Sequence, residues 1–149
     1  TVNFKLEATE KGFLGPYIVN YQFDRYYLTD YSKNKLKDVV KVMNDNPTLS
    51  IEIRSHTDSR GPSIYNQWLS EMRAKTAMNY LKGLVVNPDR ITCKGYGETQ
   101  LLKPCGDGVT CTEAEHLENR RTESTRLFVG TSEMPWLDNS FIKVLHKVA

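Results

Sequence analysis

The chain has 149 residues, a net charge of +2 from 20 Lys and Arg against 18 Asp and Glu, 39% hydrophobic residues and 26% charged ones. With a mean hydropathy of −0.52, this is the composition of an ordinary globular domain, long enough to bury a core and with no sign of disorder. The interspersed charges and the absence of a basic block give nucleic acid no footprint, and no apolar run approaches the ~20 residues of a membrane-spanning helix.

The first residues have no apolar centre of the signal-peptide kind. Because the chain starts at Thr1 rather than Met, it is expected to be a mature fragment or a domain of a longer protein. Residues 1–16 read as an N-terminal extension or edge strand, with Phe4, Leu6 and Ala8 alternating before Lys11 and Gly12. After Gly15 and Pro16, the β-branched and aromatic run from Tyr17 to Phe23 predicts a core strand that stops at Asp24 and Arg25. Thr29 or Asp30 can cap a helix in which Leu36, Val39, Val40 and Met43 form the apolar stripe, ended by Asn46 and Pro47.

Residues 49–56 predict a second strand, with Ile51, Ile53 and Ser55 alternating against Glu52, Arg54 and His56. A loop, Thr57-Asp58-Ser59-Arg60-Gly61-Pro62, comes next, and then a helix from about Ser63 to Leu84. Asn66, Leu69, Ser70, Arg73, Ala77 and Leu81 share one face of that helix. Arg73 thus lies among residues that look inward, and a desolvated guanidinium should have an anionic partner. Asp58 is the nearest plausible carboxylate in sequence. Two readings stay open on these residues alone: Asp58 and Arg73 close a salt bridge, or each waits for one end of a zwitterionic ligand, Asp58 taking an ammonium and Arg73 a carboxylate.

Residues 90–94 predict a third strand with Gly95-Tyr96-Gly97 as its turn, a short helix is expected at 112–117, and residues 122–129 predict the last strand. Strand, helix, strand, helix, strand, strand fits an α/β (α+β) two-layer sandwich, a mixed sheet with helices on one face. Cys105 and Cys111 flank a Gly-rich loop that can bring them within bridging distance, and a disulfide implies an oxidising compartment. A zinc site adding His116 is the alternative, although the spacing exceeds the usual thiolate gap. Cys93 alternates with Ile91 and is expected to be a buried small hydrophobe. Beyond Gly130, Trp136, Leu137, Phe141, Val144, Leu145 and Val148 recur at helical spacing, so residues 130–149 read as a helical C-terminal extension packed on the domain or on a neighbour.

Five motifs in order resemble the OmpA-like peptidoglycan-binding domain over 17–129. They are Phe23-Asp24; Ser55-His56-Thr57-Asp58; Asn66, Leu69, Ser70, Arg73, Ala74 and Leu81; Gly95-Tyr96-Gly97-Glu98; and Asn119-Arg120-Arg121. The resemblance implies a non-catalytic domain, without a cofactor, that grips the peptide stem of peptidoglycan at meso-diaminopimelate. It favours the clamp, with Asp58 on the ligand's ammonium and Arg73 on its carboxylate. Phe23, Asp24, Thr57, Asn66, Leu69 and Arg121 match positions lining the same groove. For Asn66 a buried amide orienting the loop is an equal reading, for Leu69 core packing is favoured, and for Arg121 a structural pair with a helix carboxylate stands beside the ligand role. Ser55 stands where Gly is common in the family. The cysteine-bearing segment is similar to that of OmpA-like domains of Bacteroidota, which sit at the C-terminus of larger envelope proteins, including lipoproteins tied to type IX secretion.

The same resemblance implies a periplasmic location, attachment to the outer membrane through another part of the protein, and further domains or envelope proteins on the N-terminal side. Two other classes stay in view. A wall enzyme could assemble His56, Asp58 and Glu98 as an acid/base set, but no nucleophile or metal motif accompanies them. A protein-interaction scaffold could dock a partner through Pro135 to Val148.

Overall fold

The computed structural model describes residues 15–127. The N-terminal edge strand expected at Phe4 to Ala8 and the C-terminal helix expected beyond Gly130 lie outside the described residues, as does Val129 of the last strand.

Among the described residues, four strands form one mixed sheet in the order β1-β4-β2-β3. They are β1 (Tyr17–Asn20), β2 (Ser50–His56), β3 (Ile91–Gly95) and β4 (Arg121–Leu127). β2 runs parallel to β3 and antiparallel to β4, and β1 is antiparallel to β4. Three helices accompany them: α1 (Asp30–Asp45), α2 (Ser63–Lys82) and α3 (Glu113–Asn119). Helix α2 makes the crossover between parallel β2 and β3, as a parallel pair requires, and packs against both, while α1 covers β1 and touches α2. The predicted two-layer α/β sandwich with a mixed sheet is the observed architecture.

β1 is shorter than the predicted run to Phe23. Tyr21 makes only half of the next rung against β4, its N–H donating to Arg120 O at 3.1 Å while the Arg120 N–H turns to His116 O at 3.1 Å. At Asp24 the backbone takes a positive φ of 58°, a left-handed turn that extended strand geometry cannot contain. Thr29 caps α1 as predicted, its hydroxyl accepting from the Ser32 N–H. The stripe of α1 buries Leu36, Val39, Val42 and Met43. Val40, assigned to it from the sequence, is only half-buried because it falls at the stripe's edge. The far end of α1 is closed by Arg90, whose guanidinium donates to the carbonyls of Met43, Asn46 and Leu49 at 3.1, 2.9 and 3.0 Å. The Met43 and Asn46 carbonyls also accept the backbone N–H groups of Asn46 and Leu49, so the guanidinium adds second bonds that tie the helix end to the start of β2.

The core lies between helices and sheet, with Val39, Met43, Leu49, Ile51, Ile53, Ala74, Ala77 and Leu81 all fully buried. Gly95 sits where β3 meets α2: a Cβ there would lie 2.5 Å from the backbone nitrogen of Glu71 and 2.6 Å from Ser70 Oγ. Only glycine lets strand and helix approach so closely. Gly97 then turns with φ +58°, donating its N–H to Ser70 Oγ at 2.8 Å and accepting from Thr57 N at 2.9 Å. The Gly-x-Gly turn thereby ties the end of β3 to the loop after β2.

Cys105 and Cys111 form a disulfide, six residues apart. Loop-closure entropy for so short a loop contributes roughly 2 kcal/mol. Both sulfurs are consumed, which leaves this pair no thiolate for the zinc alternative. The bridge anchors α3, whose start is closed by a reciprocal capping box between Thr112 and Glu115. Cys93 is free and half-buried rather than fully buried.

Candidate ligand-binding cleft

The carboxyl end of β2 and the loop after it, the first turns of α2, and the segment between β1 and α1 enclose a cleft of about 400 Å³. It sits beyond a strand's carboxyl end, where α/β sheets commonly hold ligands. Its walls include Phe23, Asp24, Thr57, Asp58, Asn66, Leu69 and Arg73. These are seven of the eight residues the sequence proposed for the groove.

Asp58 and Arg73 do not pair with each other. The Asp58 carboxylate, 4% exposed, receives the Arg60 guanidinium at 2.7 Å and that of Arg120 at 3.2 Å. The Arg60 backbone N–H adds a third bond, at 3.0 Å to Oδ1. Burial pushes the Asp58 carboxyl up, but the hydrogen bonds from Arg60 and Arg120 outweigh it and hold it below the usual aspartate range.

Arg73 is fully buried and spends its donors on backbone. Nε donates to Arg25 O at 2.7 Å, Nη1 to His56 O at 3.1 Å and Nη2 to Gln22 O at 3.3 Å. Its guanidinium carbon stands 4.8 Å from the Tyr21 ring centroid, in cation–π range. Desolvation lowers its pKa to about 10, so it stays charged at neutral pH. Of the two readings left open on the sequence, the Asp58–Arg73 ion pair is not formed. Main-chain carbonyls satisfy the geometry of the fork while leaving its net charge without a carboxylate among the described residues.

A buried relay holds Arg73 in register. Ser55 Oγ lies 2.6 Å from Thr122 Oγ1, Thr122 donates to the Tyr21 hydroxyl at 2.8 Å, and that hydroxyl reaches Arg73 O at 3.4 Å. Burial pushes the Tyr21 phenol up to about 12, which keeps it a donor. Ser55, in a place where the family often has glycine, is thus a member of the site's scaffold.

Asn66 donates its amide to Arg60 O at 3.1 Å and Asp58 O at 3.4 Å, and also to Glu98 Oε1 at 3.2 Å. The reading of Asn66 as an amide orienting the loop accounts for these bonds. Thr57 is 1% exposed and borders the cleft, and its hydroxyl has no hydrogen-bond partner among the described residues. Phe23 is 54% exposed, and Asp24 accepts from the Tyr65 hydroxyl.

Arg121 is the exception. It is buried away from the cleft, bonded to Glu123 Oε2 at 3.1 Å, Asn119 O at 3.2 Å and Gln100 O at 3.0 Å. Its carboxylate partner is on β4 rather than on a helix. Arg120 takes the cleft position instead, donating to Asp58, to Glu113 Oε1 at 2.9 Å and to Tyr21 O at 2.8 Å. The physical reason is register: β4 begins at Arg121, paired with His56, so the preceding arginine points the other way. Beside the loop residues Gly61 and Pro62, the cleft is also lined by Arg60, Tyr65 and Arg120, which the sequence did not single out for the groove. Arg60 was readable as the only cation in the six-residue loop that carries Asp58.

His56 is no acid/base partner of Asp58. It is buried and stacked on Tyr96 at 5.3 Å, with Nε2 3.3 Å from Glu123 Oε1. Burial pushes its pKa below 6.5, and the contact with His56, followed by Arg121, pulls Glu123 down to about 2. A folded-state pKa below the unfolded one means that protons bind the unfolded chain better, so stability is lost as pH falls. Two acid steps are expected, one starting near pH 6.5 from His56 and one below pH 4.5 from Glu123. The urea midpoint should therefore drop between about pH 7.5 and about pH 5.5, and His56→Gln should flatten that step. An unchanged or higher wild-type midpoint at the lower pH would contradict it.

Comparison with known proteins places the chain among relatives. The OmpA family model matches residues 20–112. Outer membrane porin F of Pseudomonas fluorescens is 37% identical over 107 residues, covering 72% of this chain and 31% of the porin. The peptidoglycan-associated lipoprotein of Buchnera aphidicola is 35% identical over 92 residues, or 62% of this chain and 50% of the lipoprotein. Among solved structures, the peptidoglycan-associated lipoprotein from Burkholderia pseudomallei superposes with a TM-score of 0.66 at 25% identity, covering 74% of this chain and 89% of that one. The chain thus spans half or less of the length of these two sequence relatives.

Proposed function

Because this chain belongs to the OmpA family, we propose that it is a non-catalytic module that fastens an envelope protein to the cell wall by gripping the peptide stem of peptidoglycan at meso-diaminopimelate. The observation that carries the reading is the separation of charge across one cleft: a buried carboxylate, Asp58, on the loop, and a buried guanidinium, Arg73, on α2, without a carboxylate partner among the described residues. A ligand bearing an ammonium and a carboxylate on one carbon complements both. Arg73's net charge favours the ligand's carboxylate, and Asp58 offers acceptors to its ammonium in place of Arg60. The unpartnered Thr57 hydroxyl would gain a bond from the same ligand. The names of the lipoprotein relatives, which associate them with peptidoglycan, support the same reading.

Anchoring needs binding without cleavage, and the described residues of the cleft include no nucleophile paired with a base. A periplasmic location fits the disulfide and the outer-membrane and wall-associated relatives. Further domains on the N-terminal side belong to the same proposal.

The test is sedimentation with purified diaminopimelate-type sacculi. The chain is expected to pellet with them, to be released by free meso-diaminopimelate, and to leave the muropeptide profile unchanged after long incubation. A chain that stays in the supernatant sinks the wall reading, and cleaved muropeptides would make it an enzyme.

A further inference from the structure

The cleft opens onto an aromatic platform that the charge clamp does not use. Tyr65, on the cleft wall, and Trp68, one turn further along α2, are in ring contact, their centroids 5.6 Å apart and their planes inclined at 35°. Tyr26, from the segment between β1 and α1, meets Trp68 edge-on, 6.0 Å away at 80°. The rings hold one another in orientation, yet Tyr26, Tyr65 and Trp68 remain 39, 40 and 45% exposed. Asp24 edges the platform, accepting from the Tyr65 hydroxyl. Nothing in the packing of the core calls for a tryptophan here, since α2 buries Asn66, Leu69, Ser70 and Arg73 on its other side.

Flat apolar faces beside hydroxyls and a carboxylate suit a pyranose ring, whose C–H face is apolar and whose rim carries hydroxyl and amide groups. Continuity decides which sugar: Tyr65 belongs to both cleft and platform. A molecule with its charged end between Asp58 and Arg73 therefore carries its next portion over Tyr65 toward Trp68. In the wall polymer the stem peptide hangs from N-acetylated sugars, and three extended residues reach only about 10 Å. We propose that Tyr26, Tyr65 and Trp68 form a glycan subsite that stacks an N-acetylhexosamine ring of the strand bearing the gripped stem. This rests on the wall-binding reading and extends it from the stem to the sugar chain.

Titration calorimetry on the whole chain with two purified probes, the diaminopimelate-containing stem tripeptide and the same tripeptide on its disaccharide, tests the assignment. Wild type should bind the disaccharide form about tenfold more tightly. Trp68→Ala and Tyr26→Ala, both at exposed positions, should keep the tripeptide affinity and lose most of that gain. Equal affinities for the two probes in wild type would overturn the glycan subsite and leave the clamp standing. So would a gain that survives both substitutions, or a parallel loss for both probes, which would assign the rings to the peptide. If wild type binds neither probe, the clamp falls and the subsite with it.

Discussion

Asp58→Asn is expected to lower affinity for the diaminopimelate stem by about a hundredfold and stability by roughly 3–5 kcal/mol, because one carboxylate serves both the ligand and a buried cation. The stability loss arises mainly at Arg120, whose side chain is 4% exposed and would keep only Glu113, itself 63% exposed, as a carboxylate partner. Arg60, at 36% exposure, can turn to water. The two roles separate in a double variant. Asp58→Asn with Arg120→Met should regain part of the chemical-denaturation midpoint, because the stranded charge is gone, yet stay unable to bind. Wild-type affinity in a folded Asp58→Asn chain would remove the clamp's anionic half.

Arg73→Met should abolish stem binding and cost about 2–4 kcal/mol, since three carbonyls lose their donor and one of them, on His56, belongs to a buried residue. Arg73→Lys is the more informative variant. It keeps the charge but cannot serve the carbonyls of Gln22, Arg25 and His56 at once from a planar fork. Binding measured by calorimetry should fall at least ~10-fold in the lysine variant, with a smaller drop in thermal midpoint than for methionine. A folded Arg73→Met chain that still binds meso-diaminopimelate would show that the buried guanidinium is a structural cation and nothing more.

Much of the architecture could be read from local pattern. Alternation marked β2, the Thr29 cap and the Asn46-Pro47 stop bounded α1, and three- and four-residue spacing put Arg73 among the buried positions of α2. Each signal depends only on residues close in sequence. The errors occurred where the answer depended on a distant segment. β1 stopped early because the N–H of Arg120, 99 residues from Tyr21, goes to His116 O instead of back across the ladder. Arg120 and Arg121 are adjacent and chemically identical, so only the register of β4 against β2 decides which one meets Asp58. Trp68 and Tyr65 were legible as a pair three apart, off the buried face, but Tyr26 joins them only through the packing of the segment after β1.

By itself, the sequence determined the order of elements, the inward placement of Arg73 and the position of Asp58 at a strand's end, because burial period and turn chemistry are local properties of the chain. Only the tertiary structure decided that Asp58 and Arg73 stand apart, one held by two arginines and the other by three carbonyls. Hydrogen bonds and close ion pairs act over a few ångströms, and which groups come that close is settled by the folded chain's packing rather than by their separation along it.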